Sequence, residues 1–104
     1  MSALRRYEIL APLTFNDGRP VPGALLAQTF SELKEKFGAA LKTAPLSGVW
    51  EEKGETFRDK LTLFYVDVPD LPAHNKFFLK FKQTLKRRFA QLDIRITSHP
   101  IETL

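Results

Sequence analysis

Apolar and polar positions alternate along residues 5–13, where Tyr7, Ile9, Ala11 and Leu13 are set against Arg6, Glu8, Leu10 and Pro12, the period-two pattern of a β-strand. Asn16-Asp17-Gly18 supplies a turn, and Pro20 and Pro22 fix the backbone just before the period changes. Over residues 22–37, Leu26, Phe30, Leu33 and Phe37 recur at helical spacing, and Gly38 stands where a left-handed residue closes a helix. Residues 49–52 and 56–58 flank Lys53-Gly54-Glu55 as the arms of a hairpin do. The run Leu-Thr-Leu-Phe-Tyr-Val-Asp-Val at 61–68 is the strongest strand signal, ended by Pro69-Asp70. Pro72 suits the first turn of a second helix, which carries Phe78, Phe81, Leu85, Phe89 and Leu92 on its apolar face and closes near Gln91. Alternation returns at 93–98, and Pro100 is expected to stop it.

The order strand, helix, strand, strand, helix, strand predicts an α+β ferredoxin-like sandwich: a four-stranded antiparallel sheet with both helices on one face and the first and third strands central. At 104 residues the chain is predicted to be a single ferredoxin-like domain, 1–104. It has no cysteine, which excludes disulfides, thiolate nucleophiles and Cys-type metal sites. Glu8 interrupts the early apolar residues, so no signal-peptide core is read, and no apolar run has the length to span a bilayer. A cytoplasmic location without membrane contact is the expectation.

Charge refines this picture. The net charge is +4, yet residues 73–92 hold six bases and no acid (Lys76, Lys80, Lys82, Lys86, Arg87 and Arg88), so the rest of the chain nets −2, the total less those six. On a helical wheel Lys76, Lys80 and Arg87 lie opposite the Phe face, with the other three on its flanks. A basic helix can track phosphates, so nucleic acid is a possible partner, although a lysine-rich solvated face is the commoner role. The RNA-binding ferredoxin-like signature, a base and glycine with spaced aromatics in the third strand, is missing from 61–68.

Chemistry is sparse elsewhere. His74 and His99 have no partner at metal-ligand spacing, neighbouring Ser98 and His99 point to opposite faces of a strand, and the glycines fall singly rather than in a phosphate loop. No metal, cofactor or catalytic residue is assigned. Glu8, Asp67 and Arg95 are charged residues in or near strands that suit a polar sheet face or an ion pair, and Trp50 suits packing.

The segments Arg6-Tyr7-Glu8-Ile9-Leu10-Ala11-Pro12-Leu13, Asn16-Asp17-Gly18 with Pro20-Val21-Pro22, Gly48-Val49-Trp50, Val66-Asp67-Val68-Pro69-Asp70 and Phe77-Phe78-Leu79-Lys80-Phe81-Lys82 resemble those of a group of small uncharacterised bacterial proteins. The resemblance implies a free-standing bacterial protein of ferredoxin-like fold and carries no activity with it.

The functional expectation rests on residues 61–68. Leu61, Leu63 and Tyr65 point one way and Thr62, Phe64, Val66 and Val68 the other, so apolar side chains occupy both faces of a central strand while helices cover only one. The first expectation is a non-catalytic association domain, a homodimer through the helix-free face, with Leu10, Leu63, Phe64, Tyr65, Arg6, Glu8 and Arg95 as interface candidates. The alternatives are nucleic-acid binding through the basic helix at 76–88, and a small-molecule enzyme or ligand-binding protein of dimeric α+β barrel type with its site near Glu8, Trp50 or Arg95.

Overall fold

A computed structural model of the protein describes residues 3–104. In chain order the elements are β1 (Leu4–Pro12), α1 (Gly23–Phe37), β2 (Leu41–Lys42), β3 (Leu46–Glu52), β4 (Glu55–Pro69), α2 (Pro72–Arg88) and β5 (Ile96–Ile101). The sheet is antiparallel in the order β2-β4-β1-β5, and β3 also pairs with β4. Because Leu61 faces Pro12 on one side and Leu46 on the other, β2 and β3 act as one broken edge strand along β4. This is the α+β ferredoxin-like arrangement, with β1 and β4 central.

The helix-facing layer follows the alternation of the sequence. Tyr7, Ile9 and Ala11 of β1 lie opposite Val66, Phe64 and Thr62 of β4 and are buried against Leu33 of α1 and Phe78, Phe81 and Leu85 of α2. Each large apolar side chain withdrawn from water in this way contributes about 1.5–3 kcal/mol before chain entropy is counted. Helix α1 starts after Pro22 and stops at Gly38, whose φ of 83° lets its N–H reach the Lys34 carbonyl at 2.7 Å.

Several boundaries differ from the sequence expectation, among them the starts of β3, at Leu46 rather than residue 49, and of β5, at Ile96 rather than residue 93. The second hairpin arm and the strong strand signal are one 15-residue strand, β4, and the turn between β3 and β4 is Lys53-Gly54, both with positive φ (51° and 81°), the conformation of a tight hairpin turn. A further two-residue strand, β2, precedes the hairpin. Helix α2 ends at Arg88 rather than near Gln91, because Ala90 takes a left-handed φ of 51°, and Leu92 is exposed while Ile94 fills the core instead. Strand β5 runs through Pro100 instead of stopping before it. The Leu10 N–H donates to the Arg95 carbonyl, and that phase puts Pro100 opposite Arg5 in a non-hydrogen-bonded pair, so the missing N–H of an edge-strand proline breaks no ladder bond.

Candidate association face

The side of the sheet without helices carries Arg6, Glu8, Leu10 and Pro12 from β1 and, in register with them, Asp67, Tyr65, Leu63 and Leu61 from β4. Leu10, Leu61, Leu63 and Tyr65 are half-buried within one chain and make the part of this face toward Pro12 apolar, with Glu8 opposite Tyr65 at its border. Arg6 sits at its edge. Its guanidinium donates to both carboxylate oxygens of Asp67, at 2.7 and 2.9 Å, and lies 4.5 Å from the centre of the Tyr65 ring. The hydrogen bonds from Arg6 to Asp67 hold the guanidinium above its ordinary range. A bidentate pair of this kind fixes both side chains and leaves the neighbouring leucines uncharged.

The apolar strip continues beyond the body of the domain. β1 ends opposite Leu61 and the Leu13 N–H still donates to the Lys60 carbonyl at 3.0 Å, so residues 55–59 of β4 pair with β3 alone and form a two-stranded arm. It lengthens the molecule to 47 Å against widths of 29 and 24 Å. Trp50 and Phe57 face each other across this arm as a stacked pair, with ring centres 5.9 Å apart, and both are about 40% exposed. Leu46 lies on the same face and is also exposed. Where the arm meets the body, Leu10, Pro12, Trp50, Asp59, Leu61 and Arg95 line a groove of about 500 Å³.

Among the interface candidates, Arg6, Glu8, Leu10, Leu63 and Tyr65 share the helix-free face. Phe64 does not: it is 1% exposed on the helix side, because its parity matches Ile9 rather than Leu10. Arg95 lies just before β5, at the rim of the groove. Trp50 is a surface residue of the arm rather than a packed core residue. Leu61 lies beside Leu63 and Tyr65 as the alternation requires, whereas Phe57 and the place of Trp50 on this face were not read; the odd-numbered series 57, 61, 63, 65 was the signal, masked by Asp59-Lys60.

The six bases of α2 separate into two groups. Arg88 turns inward, donating to Thr29 Oγ1 at 2.9 Å and Glu32 Oε1 at 2.7 Å, and thereby clips α2 to α1. Lys82 pairs with Asp93 at 3.0 Å, whose carboxyl is held below the usual range chiefly by that hydrogen bond. Lys76, Lys80 and Arg87 are exposed, and Lys86 is half-buried. His74 Nδ1 is 2.8 Å from the Pro69 carbonyl oxygen and its ring meets Phe37 edge-on, while His99 is exposed on the helix-free side of β5.

No family model and no curated protein sequence matches the chain. Solved structures do. The divalent cation tolerance protein (Cut A1) of Thermus thermophilus superposes with a TM-score of 0.62 at 16% identity, over 96% of this chain and 85% of that one. CutA1 from Oryza sativa gives a TM-score of 0.60 at 12% identity, over 98% and 83%. The divalent ion tolerance protein CutA1 from Ehrlichia chaffeensis gives 0.61 at 9% identity, over 100% and 86%. At these identities the likeness is one of fold. Among the described residues no helix is long and apolar enough to cross a membrane.

Proposed function

We propose that this chain works as a non-catalytic association domain, a homodimer that brings two helix-free faces together. The observation that carries the proposal is the apolar strip of Leu10, Leu61, Leu63 and Tyr65, continued onto the arm by Leu46, Trp50 and Phe57. An antiparallel sheet with a solvated side alternates cleanly between apolar and polar, and β4 does not. A two-stranded ribbon is at best marginally stable in water by itself, so the arm gains most from a cover. Strand lengths and spacings give the face and arm a footprint on the order of 700 Å², close to the ~800 Å² per partner of a standard stable interface. A second copy is the simplest cover because it is always present and twofold dimers are the commonest assemblies.

Divalent cations, named for the similar structures, do not enter this proposal. The chain has no cysteine, and among the described residues no three His, Asp or Glu side chains gather closely enough to hold a metal ion.

Light scattering after gel filtration tests the proposal. The expected mass is twice that of the 11.9 kDa chain at micromolar concentration, falling towards one chain in Leu63→Asp. A wild-type monomer at high concentration overturns it.

A further inference from the structure

On the opposite side of the sheet, a cleft runs between the first turns of α2 and the edge strand β5. Its inner end, about 110 Å³, is lined by Phe78, Leu79, Lys82, Ile96 and Thr97, and its outer end, about 530 Å³, opens past Arg5 and Asp70. Tyr7, Asn75 and Ser98 line both ends. Tyr7 is the unexplained member. Its ring is stacked on Phe78 with centres 4.1 Å apart and the residue is only 3% exposed, yet its hydroxyl makes no hydrogen bond to any described residue. A phenolic hydroxyl can both donate and accept, and one that is uncommitted at the wall of a cleft is open to a ligand or to water. Among the described residues no buried side-chain oxygen or nitrogen is sealed off without a partner, so this hydroxyl is in touch with the cleft that Tyr7 lines.

The surroundings specify the ligand's charge. Arg5 donates Nε–H to Asp70 and an Nη1 hydrogen to Ser98, and its Nη2 hydrogens are uncommitted among the described residues. Asn75 offers amide hydrogens. Helix α2 is 17 residues long and opens on the cleft with no side-chain cap and no acid in its first turn, which leaves its positive end unopposed from within the helix. Among the described residues Asp70 is the one carboxylate lining the cleft, and Arg5 already engages it. Burial pushes the Tyr7 phenol above its ordinary value of 10, so it remains a donor at neutral pH. Tyr7, Asn75 and Ser98 stand where the two ends meet, and of the polar side chains farther in, Lys82 is already paired with Asp93 and Thr97 is uncharged.

We propose that the cleft between α2 and β5 binds a small carboxylate with a short apolar body, the Tyr7 hydroxyl, Asn75 and Arg5 receiving the carboxylate and Phe78, Leu79 and Ile96 the hydrocarbon. The inner volume suits a branched acid of a few carbons and is too small for a nucleotide. The site lies on the helix side, away from the proposed dimer face, so each can fail without the other.

The test is an amide-shift NMR titration of the full chain with isovalerate, its neutral isostere isovaleramide, and inorganic phosphate. Isovalerate is expected to give saturable shifts at Arg5, Asn75 and Ser98 with a Kd on the order of 1 mM, the range open to so small a ligand, and isovaleramide to bind at least about tenfold more weakly. Tyr7→Phe keeps the ring stack and should weaken isovalerate about tenfold while leaving the thermal midpoint near that of the wild type. Ser98→Ala, on the surface of the edge strand, gives a second variant whose folding is not in question, with a smaller loss in the same direction. Absence of saturable shifts, equal affinity in Tyr7→Phe, or saturation by phosphate with no response to isovalerate overturns the proposal.

Discussion

Replacing Arg88 by methionine separates a structural base from a surface one. The substitution keeps an unbranched stem and removes every donor. The Arg88 side chain is 10% exposed and bridges Thr29, which is fully buried, and Glu32, whose side chain is 35% exposed. Thr29 retains its own bond to the Leu25 carbonyl at 2.9 Å, and Glu32 regains water, so no charge is left stranded. What disappears is a pair of charge-assisted bonds, one of them half-screened by solvent. Hydrogen bonds to charged groups contribute about 1.5–3 kcal/mol, and discounting the exposed one leaves ~2 kcal/mol for the clip. For a chain of this size that is a fall on the order of 10 °C in Tm. Urea unfolding at fixed protein concentration should show a lower midpoint with an unchanged slope. The exposed neighbour supplies the control, since Arg87→Met should stay within about 0.5 kcal/mol of the wild type. An Arg88→Met loss no larger than the Arg87→Met loss refutes the assignment of Arg88 as the clip between the helices.

Three further outcomes are expected. The raised Tyr7 phenol is an acid kept neutral by folding, so its contribution to stability is present below pH 10 and is lost as pH rises through the folded value; Tyr7→Phe should flatten the alkaline limb of a stability–pH curve, and an unchanged limb contradicts this. At the hairpin turn, Lys53→Asn should raise stability by about 0.5 kcal/mol and Gly54→Ala lower it by about 1 kcal/mol, because both positions have positive φ, and thermal melts showing the reverse order contradict the turn geometry. With Arg88 and Lys82 already engaged, DNA and RNA should bind no tighter than about 10⁻⁴ M at physiological salt; a micromolar complex that weakens steeply with salt and is lost in Lys80→Glu with Arg87→Glu reopens the nucleic-acid role.

The helix-facing layer was legible in the sequence because alternation in β1 and helical spacing in α1 and α2 report directly which residues leave water. Tyr7, Ile9, Leu33, Phe78 and Leu85 are buried as those periods require. Parity was ambiguous where both faces are apolar, so Leu63 and Phe64 stood as equals until their pairing with Leu10 and Ile9 separated them. The length of β4 was hidden because Arg58, Asp59 and Lys60 read as a break, although a strand that leaves the body of the sheet has no core to bury and carries polar residues without penalty. Pro100 misled because a proline's effect depends on which ladder phase it occupies, which the chain alone does not express. The cleft beside Tyr7 had no one-dimensional signal, since Arg5, Tyr7, Asn75 and Ser98 are brought together by packing across three elements.

The direct test of the association face uses the absence of cysteine, which lets a single spin label be placed without background. His99→Cys puts the label on the helix-free side and Arg87→Cys puts it on the outer surface of α2, both at exposed positions. Two sheets packed face to face lie ~10 Å apart and each helix layer adds ~10 Å, so pulsed dipolar measurements should give a label separation of about 20 Å or less at residue 99 and about 30 Å or more at residue 87. Absence of dipolar coupling at both positions, or a shorter separation at residue 87 than at residue 99, would contradict association through the helix-free face.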